Sequence, residues 1–116
     1  MTKWEVKYLQ ELINNNKFDY TYYSYIRLNE REIPETSVEK TIKYGNIIEF
    51  HYKDGDARVL LRGRSNVDGY SICVVLSLSK KQIITIYKNE FMDNHDTLHN
   101  EIYNNKIDIM KYIKVS

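Results

Sequence analysis

One cysteine, one proline, four glycines and one tryptophan among 116 residues rule out several kinds of protein at the start. A single thiol, Cys73, cannot close an internal disulfide, so a cystine-stapled scaffold is excluded. It sits in Ile72-Cys73-Val74-Val75 and reads as a small buried hydrophobe rather than a nucleophile. With so few glycines there is no Gly-rich phosphate loop, and neither a nucleophile elbow nor a His/Cys set of zinc spacing occurs. No apolar run reaches the roughly 18 residues that a membrane helix needs. The opening Met1-Thr2-Lys3-Trp4-Glu5-Val6 lacks the basic and apolar regions of a signal peptide. The expectation is a cytoplasmic protein without a membrane partner, although delivery to another cell by a separate route would leave the same pattern. A formal net charge of +1 argues against a broad, non-specific nucleic-acid binder, while leaving room for a local basic pocket.

No repeat, linker or low-complexity segment divides the chain, and its length suits one domain over residues 1–116. A hydrophobic share of 42% is enough for a core. Trp4, Tyr8 and Leu12 are spaced by four, as are Leu9 and Ile13, which is the pattern of a first helix from Lys3 to Asn15. Thr21 suits the N-cap of a second helix ending near Glu30, with Tyr22 and Ile26 toward the core. Pro34 fits the first turn of a third helix, Val38 and Ile42 form its apolar face, and Gly45 stops it. The middle of the chain is predicted to be β. Strands are expected at Asn46–Tyr52, Arg58–Arg64, Tyr70–Leu78 and Gln82–Lys88, with Asp54-Gly55 as a hairpin turn and the third strand central. Lys106 to Val115 fits a helix or a strand. The predicted class is α+β, with N-terminal helices packed on a four- or five-stranded, mostly antiparallel sheet.

Two polar groupings carry the candidate chemistry. Tyr23, Arg27 and Arg31 recur every fourth residue, which places them on one helix stripe. Asp93-Asn94-His95-Asp96-Thr97-Leu98-His99 follows the last strongly apolar strand. Cleavage of RNA without a metal requires a base for the 2′-hydroxyl, an acid for the leaving oxygen and cations for the phosphorane. Histidine suits the proton roles and arginine the charge role. His95, Arg27, Tyr23, Arg62 and Thr97 are therefore the candidate catalytic residues, and Arg31, Arg64 and Tyr87 the candidate substrate-binding ones. Each has an ordinary alternative. The arginines can pair with Glu30, Glu32, Glu35 and Glu39, and Thr97 can cap a helix. His95 and His99 with Asp93 and Asp96 could hold a divalent metal, but a solvated capping loop is the simpler account, so no metal and no cofactor is expected. His51, between Phe50 and Tyr52, reads as structural. Eleven tyrosines could stack on bases, but most are expected to pack with the hydroxyl outward.

Three segments also carry a family resemblance: Tyr20-Thr21-Tyr22-Tyr23 through Arg31-Glu32-Ile33-Pro34 to Ile47-Ile48-Glu49; Arg58-Val59-Leu60-Leu61-Arg62-Gly63; and Ile83-Ile84-Thr85-Ile86-Tyr87. In this order they resemble an uncharacterised family of small bacterial proteins related to RelE-type toxins, within the barnase–EndoU–colicin–RelE ribonuclease superfamily. The run from Asp93 to Leu98 is similar to a tail motif of some bacterial toxin domains. The resemblance implies an RNA substrate, a protein inhibitor (antitoxin or immunity protein) and a toxin-like effector of bacterial or phage origin. The family commonly has histidine where this chain has Tyr23. Either the tyrosine takes over, or His95 performs the proton chemistry, or the protein is a non-catalytic regulator that binds protein or RNA.

Overall fold

The computed structural model describes residues 3–63 and 70–90. Three helices come first, α1 (Lys3–Asn14), α2 (Tyr22–Glu30) and α3 (Glu35–Tyr44), with a two-residue strand β1 (Asp19–Tyr20) between the first two. Four longer strands follow: β2 (Asn46–Lys53), β3 (Asp56–Arg62), β4 (Tyr70–Ser77) and β5 (Gln82–Glu90). The sheet order is β1-β5-β4-β3-β2. The last four strands form the expected antiparallel meander with β4 at the centre, and β1 lies parallel to β5. The architecture is thus α+β, with the N-terminal helices on one face of a mostly antiparallel sheet.

Strand alternation explains how this sheet is filled. Ala57, Val59 and Leu61 of β3 turn to the helices, where they meet Val74 and Leu76 of β4 and Ile83 and Ile86 of β5. Leu9 and Ile13 of α1, Leu28 of α2 and Val38 of α3 close this core from above. The opposite face carries a smaller apolar group of Ile48, Leu60 and Cys73, with Val75 and Tyr87 packed against it. Cys73 is fully buried there, as its sequence context suggested. Between β2 and β3 the chain turns through Asp54 at φ 52° and Gly55 at φ 76°, the left-handed pair that a two-residue hairpin requires.

Gly45 ends α3 for a reason of space rather than of backbone sign. A Cβ at this position would lie 2.4 Å from the Thr41 carbonyl oxygen and 2.8 Å from that of Arg62. The close approach lets α3 run straight into β2.

Two expectations need correction. Tyr22 does not face the core; it is 85% exposed, and Ile26 is only half-buried. Ser24 and Leu28 take the buried side of α2 instead. The helix is only two turns long and lies across the end of β1 and along β5, so its buried stripe is narrow and passes between the tyrosines. The second miss is β1. Two residues give no period to read, and only the pairing with Gln82 and Ile83 makes them a strand. β3 ends at Arg62, and Arg64 lies outside the described residues.

Candidate functional site: a cationic cleft at the edge of strand five

Thr21 starts α2 by accepting a hydrogen bond from the Ser24 amide at 3.0 Å, while its own hydroxyl donates to the Ile83 carbonyl at 3.1 Å. One side chain therefore caps the helix and ties it to β5. The other end is fixed by a Schellman turn. The Ile33 amide donates to the Leu28 carbonyl at 3.0 Å and the Glu32 amide to the Asn29 carbonyl at 3.2 Å. Glu32 occupies the left-handed position at φ 54°, where glycine is the usual residue. This turn aims Arg31 at β5, where its guanidinium donates to the Ile86 carbonyl. β1 covers the outer edge of β5 only at Gln82 and Ile83, and Arg31 takes over as the edge partner further along.

Arg31, Tyr87 and Lys88 line an open cleft of about 440 Å³ at this edge. Tyr87 and Lys88 are successive strand residues, so they approach it from opposite faces of the sheet. Lys88 also lies 5.9 Å from the ring centroid of Tyr70. Among the described residues neither Arg31 nor Lys88 makes an ion pair.

The predicted stripe of Tyr23, Arg27 and Arg31 divides in two. Arg27 sits one helix turn before Arg31 and is half-exposed. Its guanidinium carbon lies 4.6 Å from the Tyr23 ring centroid and its Nη1 is 2.7 Å from Glu30 Oε2. Contact with Tyr23, then with Glu30, pushes its pKa further up, so it stays a cation throughout. Arg31 leaves this pair to reach β5. Arg62 is on the sheet's second face, in register with Cys73 on β4 and, through it, with Tyr87 on β5. Two strand spacings, about 10 Å, separate it from Tyr87. His95 and Thr97, like Arg64, lie outside the described residues, as do His99 and everything from 91 onward. His51 projects from β2 into solvent with its Nε2 2.9 Å from Glu49 Oε1.

Lys88 was missed as a site residue. It follows Tyr87 in the last strand, and its value comes from the way α2 lies against β5, which no local pattern reports.

The fold and cleft together define a small α+β domain with cationic groups gathered at the partly covered edge of its last strand. The chain belongs to the family described as a domain of unknown function (DUF4258), whose model matches residues 20–88, more than half its length. This span nearly coincides with the segments of resemblance, Tyr20 to Tyr87. No curated protein and no solved structure matches the chain. Among the described residues no helix is long and apolar enough to cross a membrane.

Proposed function

We propose that this domain is a metal-independent endoribonuclease of the toxin type, related to the RelE-like ribonucleases and held in check by a protein inhibitor. The observation that supports it is the convergence of Arg31, Lys88 and Tyr87 on one open cleft. Two cations suit a phosphodiester, and the Tyr87 phenol that lines the same cleft can stack on a base or donate a proton. In this reading Arg31 and Lys88 hold the phosphate, and Arg27 and Arg62 flank it on the helix and on the sheet. The 2′-oxygen attacks phosphorus, the bond from phosphorus to the 5′-oxygen breaks, and a 2′,3′-cyclic phosphate and a 5′-hydroxyl result. One group accepts the 2′-hydroxyl proton and another supplies the proton taken up by the 5′-oxygen. His95 and Tyr87 are the candidates for these two roles, with Thr97 as a positioning group.

The test is incubation of the purified protein with cellular RNA in the presence of a chelator. The expected result is cleavage that leaves cyclic phosphate ends, reduced at least about a hundredfold in His95→Ala and Arg27→Ala at unchanged circular dichroism. Cleavage that persists in both variants removes these residues from the mechanism.

One observation favours a second reading, a non-catalytic RNA-binding regulator. Tyr23 stands at the family's histidine position and is packed against Arg27, which is itself paired with Glu30. Saturable RNA binding at the cleft without any cleavage would select this reading.

A further inference from the structure

A second cavity, of about 340 Å³, opens between β1 and α3, at the outer margin of the sheet. Phe18, Val38, Ile42 and Ile83 give it apolar walls. Asp19, Glu39 and Lys17, all exposed, also line it, two carboxylates against one ammonium. Glu35 lies one turn before Glu39 on α3. Burial first, and then Glu35 and Glu39, push the pKa of the Tyr20 phenol up, which marks the local field as negative.

The backbone beside the cavity adds a separate signal. The Asp19 amide donates to the Lys81 carbonyl at 3.1 Å and the Thr21 amide to the Ile83 carbonyl at 3.4 Å. In a parallel ladder the residue between them turns its N–H and C=O the other way. Tyr20 thus offers one donor and one acceptor away from β5, and among the described residues neither group forms a hydrogen bond.

We propose that this margin docks an extended segment of a partner protein that bears a lysine or arginine. The segment pairs with the Tyr20 backbone, and the basic side chain enters the cavity. Its methylene stem packs on Phe18 and Val38, and its charge meets Glu39 and Asp19. A purely apolar side chain would leave both carboxylates without use, and an acidic one would be repelled. A nucleic-acid strand is disfavoured by the same carboxylates, so this margin and the cationic cleft take partners of opposite charge.

The probe is the peptide acetyl-Val-Lys-Val-amide, titrated into the ¹⁵N-labelled full chain beside acetyl-Val-Glu-Val-amide. Saturable shifts of the Tyr20, Glu39 and Ile83 amides by the lysine peptide are expected, with the glutamate peptide at least about fivefold weaker. Asp19→Asn combined with Glu39→Gln, both at exposed positions, should remove that preference while leaving the rest of the spectrum in place. Equal binding of the two peptides overturns the proposal. So does the absence of saturation up to about 20 mM, a preference that survives in the double variant, or displacement of the lysine peptide by a short RNA.

Discussion

The two ends of the sheet handle the same kinds of side chain in opposite ways. At the β2–β3 hairpin, Arg58 and His51 each have a carboxylate partner nearby. Arg58 Nε lies 2.8 Å from one oxygen of Asp56, and the other oxygen accepts the Ser77 hydroxyl at 2.7 Å. His51 has Glu49 beside it. At the edge of β5, Arg31 gives a hydrogen bond to a backbone carbonyl and Lys88 faces a ring, with no carboxylate paired to either among the described residues. A pair closed on itself has little left to offer a ligand. A cation whose only partners are neutral keeps its charge available, and that difference is the physical reason for placing the site at β5 rather than at the hairpin.

Removing Arg31 should break the comparison most visibly, because this side chain serves both fold and cleft. Arg31→Ala leaves the Ile86 carbonyl without its partner, a loss of about 1–3 kcal/mol. In a domain of this size the melting temperature should fall by several degrees, and RNA affinity by more than about tenfold. Arg58→Ala, at the hairpin, should leave RNA affinity unchanged. Filter binding and thermal melts on the two variants check this, and equal losses of affinity would show that only net charge matters.

Lys88→Ala isolates the cleft from the fold. Lys88 is exposed and its visible contact is with a half-exposed ring, so the melting temperature should stay within about 2 °C. RNA affinity should fall by about three- to tenfold, and the salt dependence should become shallower by about one phosphate contact. An unchanged salt slope would take Lys88 out of the cleft's function.

How much of this could be read in the chain depends on whether the information was local. The Thr21 cap, the Gly45 stop, the Asp54-Gly55 turn and the central place of β4 are all set by neighbours within a few residues, and all were legible. The orientation of α2 was not. A spacing of four places Tyr22 and Ile26 on one stripe, but which stripe meets the sheet depends on where β5 lies, some sixty residues further along. The same holds for the site. Arg31 and Tyr87 could be chosen by residue type, but their meeting, and the inclusion of Lys88, follow from the crossing of α2 over β5. Arg27 takes the ordinary alternative the sequence offered, a pair with Glu30 at the local i, i+3 spacing.

A smaller effect tests the closed end. Asp56 is caught between burial, which disfavours its charge, and the Ser77 hydroxyl and Arg58, which together outweigh it and hold its pKa below the usual carboxylate value. A carboxylate held down in the folded state contributes stability above its unfolded pKa of about 3.9 and loses it as the pH falls through the folded value. Asp56→Asn should therefore cost less than about 1 kcal/mol near neutrality, since Arg58 is half-exposed and the pair is screened. The gap between variant and parent should close below about pH 4. Urea titrations at pH 7 and pH 3 measure it, and a gap that persists in acid would assign the effect to packing.

The smallest effect concerns backbone shape and returns to both ends of the sheet. Glu32 at φ 54° and Asp54 at φ 52° hold nearly the same left-handed conformation, one in the turn that aims Arg31 and the other in the hairpin. For an L-residue this region costs roughly 1–2 kcal/mol, but aspartate enters it more readily than glutamate because its short side chain can bond to nearby backbone. Glu32→Gly should therefore stabilise the domain by about 0.5–1 kcal/mol, after the extra chain entropy of glycine is set against the relieved strain. Asp54→Gly should gain only a few tenths of that unit, if anything. Both variants can be compared by urea unfolding at equal slope. If Glu32→Gly gains stability without loss of RNA affinity, the glutamate is not needed to aim Arg31. If stability rises while affinity falls, the strained residue holds Arg31 in its binding position, and the left-handed glutamate belongs to the function of the open end.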